Sequence, residues 1–523
     1  MRMAAHDRSR AILDPGKTAW KFAHADQSGV LIDAADYYLA FYEAAQQAKR
    51  TILLSGWQFD SGVRIVRGED APAGAEVRLL KFLDQLCDRN PELEIYILAW
   101  DFHAVFALER EWMQKLYFHW ATNERLRFRF DEAAVEGGSH HQKFAVIDRS
   151  VSFLGGIDLC EARWDDRGHR QQNPLRLSHG DPVKPYHDVQ AFFAGCDFAD
   201  ALRELFADRW ARAEGEPLQL PPCEPRSAAP YEPRGALQLG AGELALSRTD
   251  PRGPGHTVRE VEALFVAAIG AAESLIYIET QYFSSRAVRD ALIERMRQPS
   301  RPTLEIVVVL NVEPEAMKEE IAIGLRQAKV LMQLTQAVSG TEHALGLYST
   351  RCAGNGEERP STYIHSKLLI VDDTFLTVGS ANLTNRSMGV DTELHASWEV
   401  VDAAAERERV AAIRSLRVSL LAEHAGLLFD DRDAEAELGR AEGLVARLDA
   451  LTQAEGARLC RHIVASPRER QINELIDPEA LPFDPSKPDY EDEAESHAEE
   501  LAQSRPLFVG GIRGLWDKLT SKV

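Results

Sequence analysis

Cysteine is scarce and scattered. Cys87, Cys160, Cys196, Cys223, Cys352 and Cys460 are the six in 523 residues, and none forms a C-x-x-C pair. That spacing argues against a zinc framework and, without an export signal, reads as reduced thiols rather than disulfides. The opening stretch, MRMAAHDRSRAILDPGK, has no apolar core behind its arginines, so no signal peptide is expected. Long apolar runs are also missing: nothing approaches the ~18–20 residues of a membrane-spanning helix. Basic charge is in deficit, with 60 Lys plus Arg against 82 Asp plus Glu and a net charge of −22. That balance argues against a protein that coats nucleic acid non-specifically, while leaving room for a small basic site. With 45% hydrophobic and 27% charged residues the composition is globular, and 523 residues suit two or three domains. The expectation is a cytoplasmic protein with no metal and no cofactor.

A Pro-rich stretch, PLQLPPCEPRSAAPYEPR from Pro217 to Arg234, can continue neither a helix nor a central strand. It reads as the heart of a linker over 217–240. The two flanks resemble each other. Before the linker, Asp33 stands where a cap would precede an amphipathic helix that runs into TILLSGW. After it, Thr257 and Glu260 have capping-box spacing, ahead of a helix and then SLIYIE. Further apolar runs follow in each half: LEIYILAW and LRFRF, then TLEIVVVLN and ALGLYST. Phe198, Leu202, Leu205, Phe206 and Trp210 stripe a closing helix in the first half, and Val410, Ile413, Leu420 and Leu421 one in the second. The pattern predicts duplicated α/β domains: an extension over 1–16, half-domains over 17–216 and 241–430, and a helical and acidic tail over 431–523.

The chemistry lies in a repeated motif. SHHQKFAVID places His141, Lys143 and Asp148 in the pattern H-x-K-x-x-x-x-D, and IHSKLLIVDD places His365, Lys367 and Asp372 in the same pattern. Gly155-Gly156-Ile157-Asp158 follows the first and Gly379-Ser380-Ala381-Asn382 the second, each ending 17 positions after its histidine. Three fixed residues arise by chance in long chains; two copies with one extension and one spacing do not. On a strand, His141 and Lys143 share a face, as do His365 and Lys367, while Gln142 and Ser366 point elsewhere. Two imidazoles and two ammonium groups brought together suit a phosphodiester, because the cations stabilise charge developing on the phosphoryl oxygens. One neutral histidine attacks phosphorus while the other gives its proton to the leaving oxygen.

Together with GWQFD, GGIDLCEARWD, PYHDVQAFFAG, YIETQYF and GSANLTNRSMGVDTE, these motifs make residues 17–430 resemble the phospholipase D superfamily, and its two-motif, phospholipid-cleaving members above its single-motif nucleases. The resemblance implies a phospholipase D-like fold in which two α/β/α sandwich half-domains, related by a pseudo-twofold axis, share one active site. It implies a phosphohistidine on His141, with His365 as general acid and then as the base that activates water or an alcohol. Lys143, Lys367 and Asn382 would hold the phosphoryl oxygens. Asp188 and Glu393 match the family's carboxylates that orient the imidazoles. Asp148 and Asp372 read as supports of their own loops. Asp158, where the second half has Asn382, reads as a group behind the site, since a carboxylate repels phosphate. His140 falls on the strand face opposite the nucleophile.

The implied substrate is a glycerophospholipid at a membrane surface, hydrolysed to phosphatidate or transferred to an alcohol. Two alternatives share the motifs: a phosphatidyltransferase resembling cardiolipin synthase, and a nuclease, against which the charge argues. A lipid-binding scaffold without catalysis has no need of two positioned histidines. Trp57, Trp100, Trp164, Tyr282 and Phe283 are candidates to line a headgroup or acyl pocket. The tail holds seven acids and no Lys or Arg in DYEDEAESHAEE, and Phe508, Ile512, Leu515, Trp516, Leu519 and Val523 then recur at helical spacing. Such a helix suits docking at an anionic surface, which would make the protein peripheral at the inner face of a membrane.

Overall fold

The apolar runs TILLSG and LIYIE form the strands Thr51–Gly56 and Leu275–Glu279, buried at every position inside two separate mixed sheets. The structure is a computed structural model that describes residues 12–72, 77–100, 123–131, 135, 138–224, 231–251, 257–312, 323–354, 359–428, 433–465 and 484. The acidic run and the helical spacing of the tail lie outside these.

In the first sheet the strand order is Leu237–Gln238, Gln27–Ile32, Val189–Ala194, Val151–Gly155, Phe144–Ile147, Thr51–Gly56, Glu94–Trp100 and Leu126–Asp131. The second runs Lys21–Ala25, Gly242–Pro251, Glu393–Glu399, Phe375–Gly379, Leu368–Val371, Leu275–Glu279, Glu305–Val309, Ala344–Thr350 and Leu459–Arg461. The eight strands of the first order correspond one to one with the first eight of the second, and Leu459–Arg461 has no counterpart. In each, the last three strands of the repeat run parallel and the motif strand is antiparallel to the first of them. The fold is a mixed α/β architecture built twice.

The edges depart from a division at 17, 216, 241 and 430. Lys21–Ala25 precedes the first half but pairs with Gly242–Pro251 of the second sheet. Leu237–Gln238, inside the Pro-rich linker, pairs with Gln27–Ile32 of the first. Each half thus lends its leading strand to the other, which covers an open sheet edge. At the far end, Leu444–Thr452 buries Leu444, Val445 and Leu448, and Leu459–Arg461 adds a strand beside Ala344–Thr350. Tyr348 ties this segment down through the Val445 carbonyl and the Asp449 carboxylate. The second half therefore runs past 430.

Both closing helices, Cys196–Glu214 and Arg407–Ala425, are 19 residues long and stop at a glycine in the left-handed region, Gly215 at φ 78° and Gly426 at φ 77°. Their apolar stripes meet in one core that spans both halves, where Phe193 stacks on Trp398 at 5.6 Å between centroids. Helices Asp33–Ala45 and Leu79–Arg89 cover the outer face of the first sheet. Glu260–Ala271, Arg286–Met296 and Leu325–Val338 cover that of the second.

Two expected caps are not used as caps. Thr257 lies in a short strand, and the helix begins at Glu260, whose carboxylate takes the backbone and guanidinium of Arg248. Asp33 is the first residue of its helix, at φ 67°, and its carboxylate turns inward instead. Among the described residues no helix is long and apolar enough to cross a membrane.

Candidate active site

The motif strands begin at Phe144 and Leu368, one residue after each lysine, so the His-x-Lys segments are not strand residues of their own sheets. Their backbone pairs across the halves instead. The His141 N–H donates to Thr392 O at 3.0 Å, and the His365 N–H to His187 O at 2.8 Å. Tyr363–Ile364 runs parallel to Tyr186–His187 as a two-stranded ladder, and His140 bridges Thr392 in the same sense. Each motif histidine is therefore laid down along the chain of the opposite half.

The carboxylates follow the same crossing. His141 Nδ1 lies 3.0 Å from Glu393 Oε2, and His365 Nδ1 lies 2.6 Å from Asp188 Oδ2. A carboxylate on Nδ1 holds the proton there and leaves Nε2 to face substrate. Behind each carboxylate the packing differs. A Cβ on Gly156 would fall 2.2 Å from Asp188 Oδ1, so only glycine fits beside the shorter acid. The matching residue, Ser380, donates its hydroxyl to Glu393 Oε2 at 2.5 Å.

Both lysines are buried. Lys143 pairs with Asp158 at 2.8 Å, and Asp158 also accepts the Trp57 N–H at 2.9 Å. Lys367 donates to Gln281 Oε1 at 3.1 Å and to the carbonyl of His365. Asn382, in the place of Asp158, has a buried side-chain oxygen with no hydrogen-bond partner among the described residues. Burial, with Lys143 and Arg163 nearby, brings Lys367 down to about 7 despite Asp188 and Glu393. Burial and the cations Lys367, Arg163 and Lys143 hold His365 well below the ordinary imidazole range. Burial also raises Asp188 to about 6, against the pull of Lys367.

Asp148 and Asp372 stand off the reacting groups. Asp148 accepts the N–H groups of Lys49, Arg50 and Thr51, and Asp372 those of Glu273, Ser274 and Leu275. Both lie at positive φ, 52° and 54°. Each pins the start of the central strand to the turn that ends its motif. His140 is buried with Nε2 3.0 Å from Asp131 and Nδ1 3.1 Å from the Thr392 hydroxyl.

The five aromatics divide. Trp164 and Phe283 are core residues, the first under the Arg67 guanidinium. Trp57 is half-buried, stacks on Trp100 at 5.8 Å, and lies 6.0 Å from Lys143 Nζ. Tyr282 meets Tyr363 hydroxyl to hydroxyl at 3.3 Å, and the Tyr363 ring stacks 6.4 Å from His365.

Ser380, Gln281 and Arg163 are site residues that motif spacing did not single out. Ser380 was visible as one of the positions where the two copies differ, serine against Gly156. Arg163 sat inside GGIDLCEARWD without a counterpart in the second half to mark it.

The family described as "Cardiolipin synthase, PLD-like domain" matches residues 265–411, which contain the second motif and its Asn382 extension. Phospholipase D A of Dictyostelium discoideum is 24% identical over 416 residues, covering 68% of this chain and 31% of that protein. Phospholipase D alpha 3 of Arabidopsis thaliana is 26% identical over 480 residues, covering 68% of this chain and 58% of that protein. The chain thus spans less than two thirds of the length of these curated relatives. A solved phosphatidylserine synthase from Haemophilus influenzae aligns over 75% of this chain and 87% of its own, at 16% identity and a TM-score of 0.49. The duplicated motifs, the family match and the sequence relatives support assignment of the chain to the phospholipase D superfamily.

Proposed function

We propose that this chain is a phosphodiesterase that cleaves the headgroup-side phosphodiester of a glycerophospholipid, releasing phosphatidate or passing the phosphatidyl group to an alcohol. The observation that carries the reading is the pair of imidazoles, each held at Nδ1 by a carboxylate of the opposite half, beside two buried lysines.

In this mechanism His141, whose side chain is 15% exposed, attacks phosphorus through Nε2. The N–P bond forms as the P–O bond to the headgroup breaks, and His365 Nε2 gives its proton to the departing oxygen. Burial, and then the cations around it, favour neutral His365 in the free site. A bound phosphodiester offsets Lys143 and Lys367 with its own negative charge, which raises the His365 pKa toward its acid role. Lys143, Lys367 and Asn382 hold the non-bridging oxygens as charge builds. Neutral His365 then takes a proton from water or an alcohol, whose oxygen displaces His141 from phosphorus. The substrate places the enzyme at a membrane surface, and we propose the cytoplasmic face.

A second reading is transfer to another phospholipid's hydroxyl, favoured by the printed description of the family that matches residues 265–411. The two differ only in the acceptor. Mass spectrometry of products from mixed phospholipid vesicles with added ethanol separates them. Phosphatidate and phosphatidylethanol from wild type, with His141→Ala and His365→Ala reduced at least about 10³-fold, are expected. Cardiolipin without phosphatidate supports the transferase. No lipid product at all rejects both and directs the search to another phosphodiester, single-stranded DNA first.

A further inference from the structure

Behind Asp188 lies a second cluster that the reaction above does not use. Asp33, His169, His187 and Glu423 are fully buried, and one donor atom from each lies within 4.8 Å of all the others. They come from three distant segments, and Glu423 belongs to the other half, on the closing helix Arg407–Ala425. Glu423 Oε1 is 3.0 Å from His169 Nε2 and 2.7 Å from His187 Nδ1. Asp33 Oδ2 is 3.3 Å from His169 Nε2, and Asp33 Oδ1 is 3.3 Å from His187 Nδ1.

We propose that these four side chains form a binding site for one divalent transition metal, zinc foremost, that joins the two half-domains. The donor set is two imidazole nitrogens and two carboxylate oxygens, the mixture that suits zinc better than calcium or magnesium. The donor spacings approach the edge of a tetrahedron, about 3.3 Å for zinc bonds of about 2.0–2.1 Å.

Two further observations point to an ion. Ligating histidines commonly send their second nitrogen to a carboxylate, and both do so here. His169 Nδ1 lies 3.0 Å from Asp165 and His187 Nε2 lies 3.0 Å from Glu279. Those carboxylates are themselves braced, Asp165 by Arg176 and the Tyr186 N–H, Glu279 by His424 and the Tyr277 hydroxyl. The other observation is Asp33 Oδ2, which is wholly buried and accepts no hydrogen bond. A buried carboxylate oxygen that has the His169 ring 3.3 Å away but no hydrogen bond is costly, and a cation at the centre of the cluster satisfies it.

Charge agrees. Of the four carboxylates Asp33, Asp165, Glu279 and Glu423, direct guanidinium partners reach two, Arg176 on Asp165 and Arg167 on Glu423. A divalent ion at the centre would supply the two positive charges left over, the role that protonated imidazoles fill in its absence. Four protein ligands in a closed, buried setting make a structural site. It also positions the catalytic centre: the Asp188 N–H donates to Asp33 Oδ1 at 3.1 Å, and the Asp33 N–H to Asp188 O at 2.8 Å.

Elemental analysis of the full-length protein, followed by zinc titration and thermal melting of chelator-treated material, tests the site. We expect about one transition-metal ion per chain, a fall in Tm on its removal, and recovery with ZnCl2. His169→Gln and Asp33→Asn should weaken zinc binding at least about 10-fold. A cobalt(II)-loaded protein should show visible d–d bands that change in His169→Gln. Metal that binds both variants as tightly as wild type overturns the assignment, as does a Tm that responds to CaCl2 alone. If neither variant folds, wild type decides: no bound metal and no response to ZnCl2 means that protonated imidazoles hold the cluster, and the proposal fails.

Discussion

Lys143 and Lys367 occupy matching places in the two repeats, yet one pairs with the carboxylate of Asp158 and the other donates to the amide oxygen of Gln281. The same asymmetry recurs at the histidines. His141 is the more exposed and leans on a glutamate shared with Ser380; His365, 6% exposed, leans on an aspartate packed against bare glycine. The backbone repeats while the charges do not. Duplication alone would build a symmetric site, and a displacement at phosphorus needs an asymmetric one, with one imidazole free to attack and one ready to give a proton. The first half neutralises its own lysine and leaves its histidine accessible. In the proposed reaction the second half keeps cationic charge for the phosphate, and it buries its histidine.

The comparison is broken most sharply at the two carboxylates. Asp188→Asn removes the acid that holds His365 and offsets both lysines, and should lower kcat about 10²–10³-fold. Glu393→Gln keeps the Ser380 contact on a more exposed histidine and should cost about 10-fold. Steady-state kinetics on phospholipid vesicles measure both. Equal losses would mean that the half-sites are interchangeable and that the asymmetry is incidental.

Where the repeats match, variants should match as well. Asp148 and Asp372 each accept three backbone N–H groups and each lie at positive φ. Alanine at either position loses charge-assisted hydrogen bonds and meets left-handed strain, together about 3 kcal/mol. Chemical denaturation of Asp148→Ala and Asp372→Ala should give losses within about 1 kcal/mol of each other. A larger gap would show that one turn carries its half and the other does not.

This equivalence separates what was legible in the sequence from what was not. The duplicated α/β plan could be read because His141 to Asp158 and His365 to Asn382 repeat at one spacing, and a repeated spacing is local information. The exchange of leading strands could not. Lys21–Ala25 and Leu237–Gln238 are short edge strands whose partners lie more than two hundred residues away. Asp33 misled for a related reason. An aspartate ahead of an apolar helix usually caps it, but here a buried cluster drawn from three distant segments claimed the carboxylate. The crossing of His141 to Glu393 and His365 to Asp188 is likewise a property of the interface between halves, to which no single motif gives access.

The electrostatic difference should appear as pH dependence. Lys367, lowered to about 7 chiefly by burial, is cationic below that pH and loses its charge above it. Asp188, raised to about 6 by burial, is ionised above that pH and protonates below it. The profile of kcat/KM, which reports the free enzyme, should therefore be a narrow bell between about 6 and 7. Lys367→Arg keeps its charge at all these values, so its fall on the basic side should move up by more than one unit. An unmoved basic limb would assign that titration to another group.

The finest difference between the half-sites is one hydroxyl. Ser380 donates to Glu393 Oε2, the oxygen that also receives His141 Nδ1, while Gly156 gives Asp188 nothing but room. Removing that donor in Ser380→Ala leaves Glu393 with one partner fewer, a loss of about 1 kcal/mol in how firmly the carboxylate is aimed. If His141 is oriented through Glu393, kcat should fall about 3–10-fold with KM little changed. The double change Ser380→Gly with Glu393→Asp then copies the first half's solution into the second. A shorter acid beside a glycine should recover part of the loss if aim is what the hydroxyl supplies. Should the double variant fall further than Ser380→Ala, the glutamate's reach across the interface matters more than its second hydrogen bond, and the two half-sites are different devices on one backbone.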